Sequence, residues 1–142
     1  MYDIRHRISI DAAPEQVYEA LTTLPGLQGW WTETTSGDAK PGGMLDFRFG
    51  DFKTTMKVAS TEADQAVVWE CVDSAPEWVG TRLEFGLTPV NGKTSLEFGH
   101  VDWRESTPFL AHCSMKWATF LLSLKSLVEK GEGRPFPRDL AI

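Results

Sequence analysis

Two short turns decide much of what this chain can fold into. Asn91-Gly92 sits between alternating apolar residues, the pattern of a two-residue hairpin whose central positions need positive φ. It places Leu87 opposite Leu96, Phe85 opposite Phe98 and Leu83 opposite His100, with Arg82, Glu84, Ser95 and Glu97 on the other side. Gly50-Asp51, with glycine at the first central position, acts the same way upstream. It pairs Phe49 with Phe52, Phe47 with Thr54 and Leu45 with Met56, leaving Arg48, Lys53, Asp46 and Thr55 opposite. A slip of one residue would send every side chain to the wrong face. Two independent hairpins that agree on one apolar face therefore predict an antiparallel sheet, packed on one side and wet on the other. Val67, Trp69 and Cys71, alternating with Val68, Glu70 and Val72, predict a strand between them. Ile4, His6, Ile8 and Ile10, alternating with Asp3, Arg5, Arg7 and Ser9, predict the first strand.

Helical spacing takes over elsewhere. Pro14 suits the first position of a helix running to about Thr22, with Val17 and Leu21 on its apolar stripe. A second short helix is predicted from Pro25 to Trp31, and the polar, glycine-rich segment Thr32 to Gly43 predicts the longest loop. Thr107 as cap, Pro108 in the first turn, and Gly131 with Pro135 as terminators delimit a final helix over about 108–130. Phe109, Cys113, Trp117, Phe120, Leu121, Leu124 and Val128 form its apolar side, against Lys116, Ser123, Lys125, Ser126, Glu129 and Lys130. At 1.5 Å per residue it spans about 35 Å, enough to cross the whole sheet. Residues 131–142 are expected to run as an extended tail. A chain of 142 residues can bury roughly 70% of its unfolded surface, so a single domain over 1–142 needs no disulfide or metal staple.

Charge and motif content exclude several functions. Lys plus Arg is 14 and Asp plus Glu is 20, a net charge of −6, which argues against nucleic acid or an anionic membrane as partner. No apolar run approaches the roughly 20 residues of a membrane helix. Met1-Tyr-Asp-Ile-Arg-His-Arg has no apolar core of a signal peptide, and the two cysteines Cys71 and Cys113 make no disulfide framework. The expected location is therefore cytoplasmic. No Gly-x-Ser-x-Gly, phosphate loop or dinucleotide fingerprint occurs, so no cofactor is expected. His6, His100 and His112 show no ligand spacing, so no metal is expected either.

Four stretches resemble a known family. They are Ile10-Asp-Ala-Ala-Pro-Glu-Gln-Val17, Leu27-Gln-Gly-Trp30-Trp31, Gly42-Gly43-Met-Leu-Asp-Phe47, and Phe120-Leu-Leu-Ser-Leu-Lys-Ser-Leu127 with Glu129-Lys130-Gly131 after it. Their order and spacing, over nearly the whole chain, resemble the SRPBCC domains, in the branch of homologues of the activator of heat shock protein 90 ATPase. The resemblance implies an α+β helix-grip fold, START-like or Bet v 1-like. In it a curved antiparallel sheet wraps a long C-terminal helix, with two short helices after the first strand. It also implies a cavity for a hydrophobic small molecule between sheet and helix, and a first strand lying antiparallel beside the last.

Six Trp and eight Phe need either a large core or a cavity to line. The inward set is Phe47, Phe49, Met56, Trp69, Phe85, Phe98, Trp117 and Phe120, with Trp31 at the mouth and Thr54 and His100 among the polar anchors. These are the expected ligand-binding residues; the competing reading is that the rings fill the space as a solid core. Set beside each other, the outer strands would bring His6 to His100 and Ile8 to Phe98. Two imidazoles in a pocket can hold an acidic ligand or work as acid and base, which makes His6 and His100 the catalytic candidates. The competing reading is a pair of buried histidines satisfied by hydroxyls. Three functions follow. The first is a carrier of a hydrophobic small molecule; the second is a polyketide cyclase-like or dehydratase-like enzyme using a cavity histidine. The third is an interaction module, a homodimer or chaperone partner, with exposed apolar surface around Trp78, Val79 and Trp103.

Overall fold

Both hairpins close where their turn residues put them. Phe49 pairs with Phe52 around Gly50 at φ 66, and Val90 pairs with Lys93 around Asn91 and Gly92 at φ 52 and 80. Every cross-strand pair expected around them is present. The computed structural model describes residues 1–142 and reads β1 (Tyr2–Ile10), α1 (Pro14–Thr22), α2 (Leu24–Trp30), β2 (Thr34–Gly37), β3 (Met44–Phe49), β4 (Phe52–Glu62), β5 (Ala66–Asp73), β6 (Arg82–Val90), β7 (Lys93–Trp103) and α3 (Pro108–Lys130). The strands make one antiparallel sheet in the order β1-β7-β6-β5-β4-β3-β2, curved around α3. No helix is long and apolar enough to cross a membrane.

Capping sets the limits of α3. The Thr107 hydroxyl accepts from the Leu110 N–H, and Gly131 at φ 82 donates its N–H to the Leu127 carbonyl at 2.8 Å. The helix turns Cys113, Trp117, Phe120, Leu121 and Leu124 onto the sheet. There they join a core cluster of 26 buried residues. The opposite sheet face carries exposed ion pairs such as Arg5–Asp3 and Arg7–Glu97, as the alternation required.

Three local expectations are corrected. Part of the Thr32–Gly43 segment is a strand: Thr34 to Gly37 pair with Arg48 to Leu45 along the sheet edge. β-branched Thr34 and Thr35 favour extended backbone, and Gly37 at φ 116 passes so close to β3 that a Cβ would lie 2.1 Å from the Met44 carbonyl. Second, β1 sits two residues from the expected register, pairing Ile4 with His100, His6 with Phe98 and Ile8 with Leu96. Its end is fixed at Ile10–Thr94, where the Thr94 hydroxyl donates to the Ala12 carbonyl at 2.8 Å. Third, the tail does more than run over the surface. Phe136 bridges to Thr32, exchanging backbone bonds with Trp31 and Glu33, and its ring stands 5.5 Å from Phe49.

Candidate functional site

Aromatic rings fill the space between sheet and α3. Trp31, at the end of α2, lies 4.2 Å from Phe47, 6.1 Å from Trp69 and 5.0 Å from Trp117, centroid to centroid. Trp69 meets Phe85 at 5.1 Å, Phe85 meets Phe98 at 5.3 Å, and Phe98 closes onto Trp117 at 4.7 Å. The structure thus brings Trp31, Phe47, Trp69, Phe85, Phe98 and Trp117 into one continuous stack, with Met56 and Phe120 buried in the same core. Phe49 is half-buried at its rim, and Thr54 bonds instead to the Ser74 hydroxyl at 2.8 Å. Trp30 also turns inward: its indole N–H donates to the Ala20 carbonyl at 3.0 Å and its ring stacks on Trp31.

The two histidines are held apart. His6 stacks on Phe98 and bonds through Nε2 to the Ser114 carbonyl of α3 at 3.0 Å. His100 is fully buried within a chain of hydrogen bonds. The Trp117 indole N–H donates to His100 Nδ1 at 3.1 Å, and the Thr81 hydroxyl donates to the Trp78 carbonyl at 2.5 Å. The remaining contact, 2.8 Å between His100 Nε2 and Thr81 Oγ1, is then a donation from Nε2–H. Burial pushes His100 down to about 3, so the ring stays neutral in this tautomer. Neither nitrogen keeps a free lone pair, and service as a base would require the Trp117 N–H to leave. Thr81→Val is expected to strand the His100 N–H and lower stability by about 1–3 kcal/mol in urea unfolding.

One end of the stack differs from the rest. Trp78, on the turn between β5 and β6, lies 5.9 Å from Trp117 at 19°, and meets His100 edge-on at 4.6 Å. Trp103, at the end of β7, lies 4.8 Å from His100 and 6.1 Å from Phe109. The Trp103 indole N–H is buried without an acceptor, and that of Trp78 has only the Cys113 thiol beside it. That thiol is a weak acceptor, and burial pushes it up to about 11. An open depression of about 260 Å³ adjoins this end, lined by Pro76, Glu77, Trp103, Arg104 and Glu105. Two further depressions lie at the surface, one between α3 and the tail and one at the β1–β7 edge.

The interaction-module reading expects exposed apolar surface on loops around Trp78, Val79 and Trp103; Val79 is exposed and Trp78 half-buried on its turn, but Trp103 is not exposed. Trp103 is only 1% exposed because β7 carries one more residue than β1 between His100 and Trp103, with Asp102 at φ 72. That bulge changes the parity of the strand. Strict alternation from Thr94, Leu96, Phe98 and His100 would have turned Asp102 inward, and this conflict is the signal that could have revealed it.

An antiparallel sheet curved around one long C-terminal helix, with an aromatic interior between them, defines a helix-grip protein. The family model for Activator of Hsp90 ATPase homolog 1-like proteins matches residues 11–129, and the chain belongs to that family. It is 44% identical to a protein solved as the Aha1 dimer from Colwellia psychrerythraea, with a TM-score of 0.87 over 94% of this chain and 100% of that one. A protein from Staphylococcus saprophyticus is 18% identical with a TM-score of 0.78, covering 93% of this chain and 95% of that one. CalU16 from Micromonospora echinospora is 19% identical with a TM-score of 0.77, covering 92% of this chain and 75% of that one. These two likenesses show the fold alone. A comparison with curated proteins finds no match.

Proposed function

We propose that this protein binds one small, apolar, uncharged molecule at the Trp78 end of its interior, between the sheet and α3. The observation that carries this reading is the buried Trp103 indole N–H, which has no acceptor, together with the Trp78 N–H, which meets only the weakly accepting Cys113 thiol. A buried donor without an acceptor costs about 1–3 kcal/mol, and native interiors retain few of them. A bound acceptor atom removes that cost. The walls favour an uncharged guest: Trp103, Trp117, Phe109 and the neutral His100 offer no counter-charge, and a buried unpaired ion is expensive. Native mass spectrometry of freshly purified protein tests the reading. The expected result is a small non-covalent adduct that disappears in Trp103→Phe, which keeps the ring and removes the donor. An equal adduct on that variant, or none from several expression hosts, contradicts it.

A second reading concerns partners. The Colwellia protein is an Aha1 dimer, and α3 here exposes Met115 and Leu122 by 58% and 56% on its outer side, beside Leu140 of the tail. Such an uncovered apolar strip suits pairing with a second copy, or with a chaperone surface of the kind the family is named for. Concentration-dependent sedimentation is expected to reveal the dimer.

A further inference from the structure

Resting on the ligand reading above, we propose that Trp78 is a plug that stands in for the ligand. Its indole fills the slot of a planar, uncharged molecule of one or two rings with one hydrogen-bond acceptor, and binding drives the Trp78 ring outward. The slot is shaped for a flat guest. Trp117 lies along one face at 19°, while His100 and Trp103 present their rings at 83° and 72°. Trp31, Phe47, Trp69, Phe85, Phe98 and Trp117 are carried by regular elements or their caps; Trp78 is carried by a turn. It is half-buried, and Pro76, Val79 and Gly80 around it are exposed, so its way out is short.

The backbone of that turn is fastened independently of the ring. The Trp78 carbonyl accepts from both the N–H and the hydroxyl of Thr81. Arg104 donates to the carbonyls of Pro76 and Val79 at 2.6 and 2.8 Å, and the Thr107 hydroxyl donates to Glu77 at 2.6 Å. The side chain can therefore rotate out while the turn stays in place. That exchange also gives both indole donors a better partner: the Trp78 N–H trades the weak Cys113 thiol for water, and the guest's acceptor meets the orphaned Trp103 N–H. The open depression floored by Trp103 is the adjoining route of entry.

The probe is 1-tetralone, a planar, uncharged bicyclic ketone. In wild-type protein it is expected to bind with a downfield shift of the Trp103 indole N–H resonance and faster water exchange at the Trp78 indole N–H. Because the plug competes with the guest, Trp78→Ala is expected to bind tetralone at least tenfold more tightly. Trp78→Leu serves in the same way if the alanine variant does not fold. Binding that leaves the Trp78 N–H buried overturns the plug, as does a Trp78 variant that binds no tighter than wild type. Failure of tetralone to bind either protein also overturns it, whereas the ligand reading itself stands or falls on the Trp103-dependent adduct.

Discussion

Trp31→Ala is expected to cost about 3–5 kcal/mol, more than other single truncations proposed for this chain. Trp31 is the node of the interior: Trp30, Phe47, Phe49, Trp69 and Trp117 all lie within 6.1 Å of it, centroid to centroid. It also ties the tail to the body, since its carbonyl accepts the Phe136 N–H at 2.8 Å. Domains of this size hold roughly 5–15 kcal/mol in all, so the variant loses a large share of that. Guanidinium unfolding measures it. A loss below about 1 kcal/mol would show that the stack relaxes freely around the gap and is not the close-packed interior described above.

Acid is expected to weaken the fold through His100. In the unfolded chain an imidazole titrates near 6.5, whereas the buried ring is pushed down to about 3. Above pH 6.5 both states are neutral and the group has no effect. Between about 3 and 6.5 the unfolded chain takes up a proton that the folded one refuses, so stability falls as pH falls. The loss from pH 7 to 4.5 is about 2–3 kcal/mol from this residue. His100→Gln isolates it, because an amide can accept from Trp117 and donate to Thr81 without titrating. Urea unfolding at both pH values is expected to show the difference between them shrinking by that amount in the variant. An unchanged difference would mean that His100 is free to take a proton in the folded state.

The parts of the fold legible in the sequence were those governed by local chemistry. Asn91-Gly92 and Gly50-Asp51 set registers because their turn types allow only one pairing, and Thr107, Pro108 and Gly131 delimit α3 because caps are local too. The stacked set from Trp31 to Trp117 followed from period-two and period-3.6 alternation. What escaped depends on contacts between distant segments. The register of β1 is decided at its far end by Thr94, and β2 exists because Gly37 lets β3 approach. Trp103 was hidden by a single extra residue in β7, after which alternation points the wrong way. The burial of Trp103 therefore rested on a break in a pattern, where pattern reading is weakest.

The measurement that bears most directly on the proposed ligand site is a crystal structure of the protein with 1-tetralone. The predicted result places the ketone oxygen within hydrogen-bond distance of Trp103 Nε1, its rings along Trp117, and the Trp78 indole turned to solvent. Tetralone bound elsewhere, with the Trp103 N–H still lacking an acceptor and the Trp78 ring still seated against His100, would contradict the assignment of this end of the interior as a binding site.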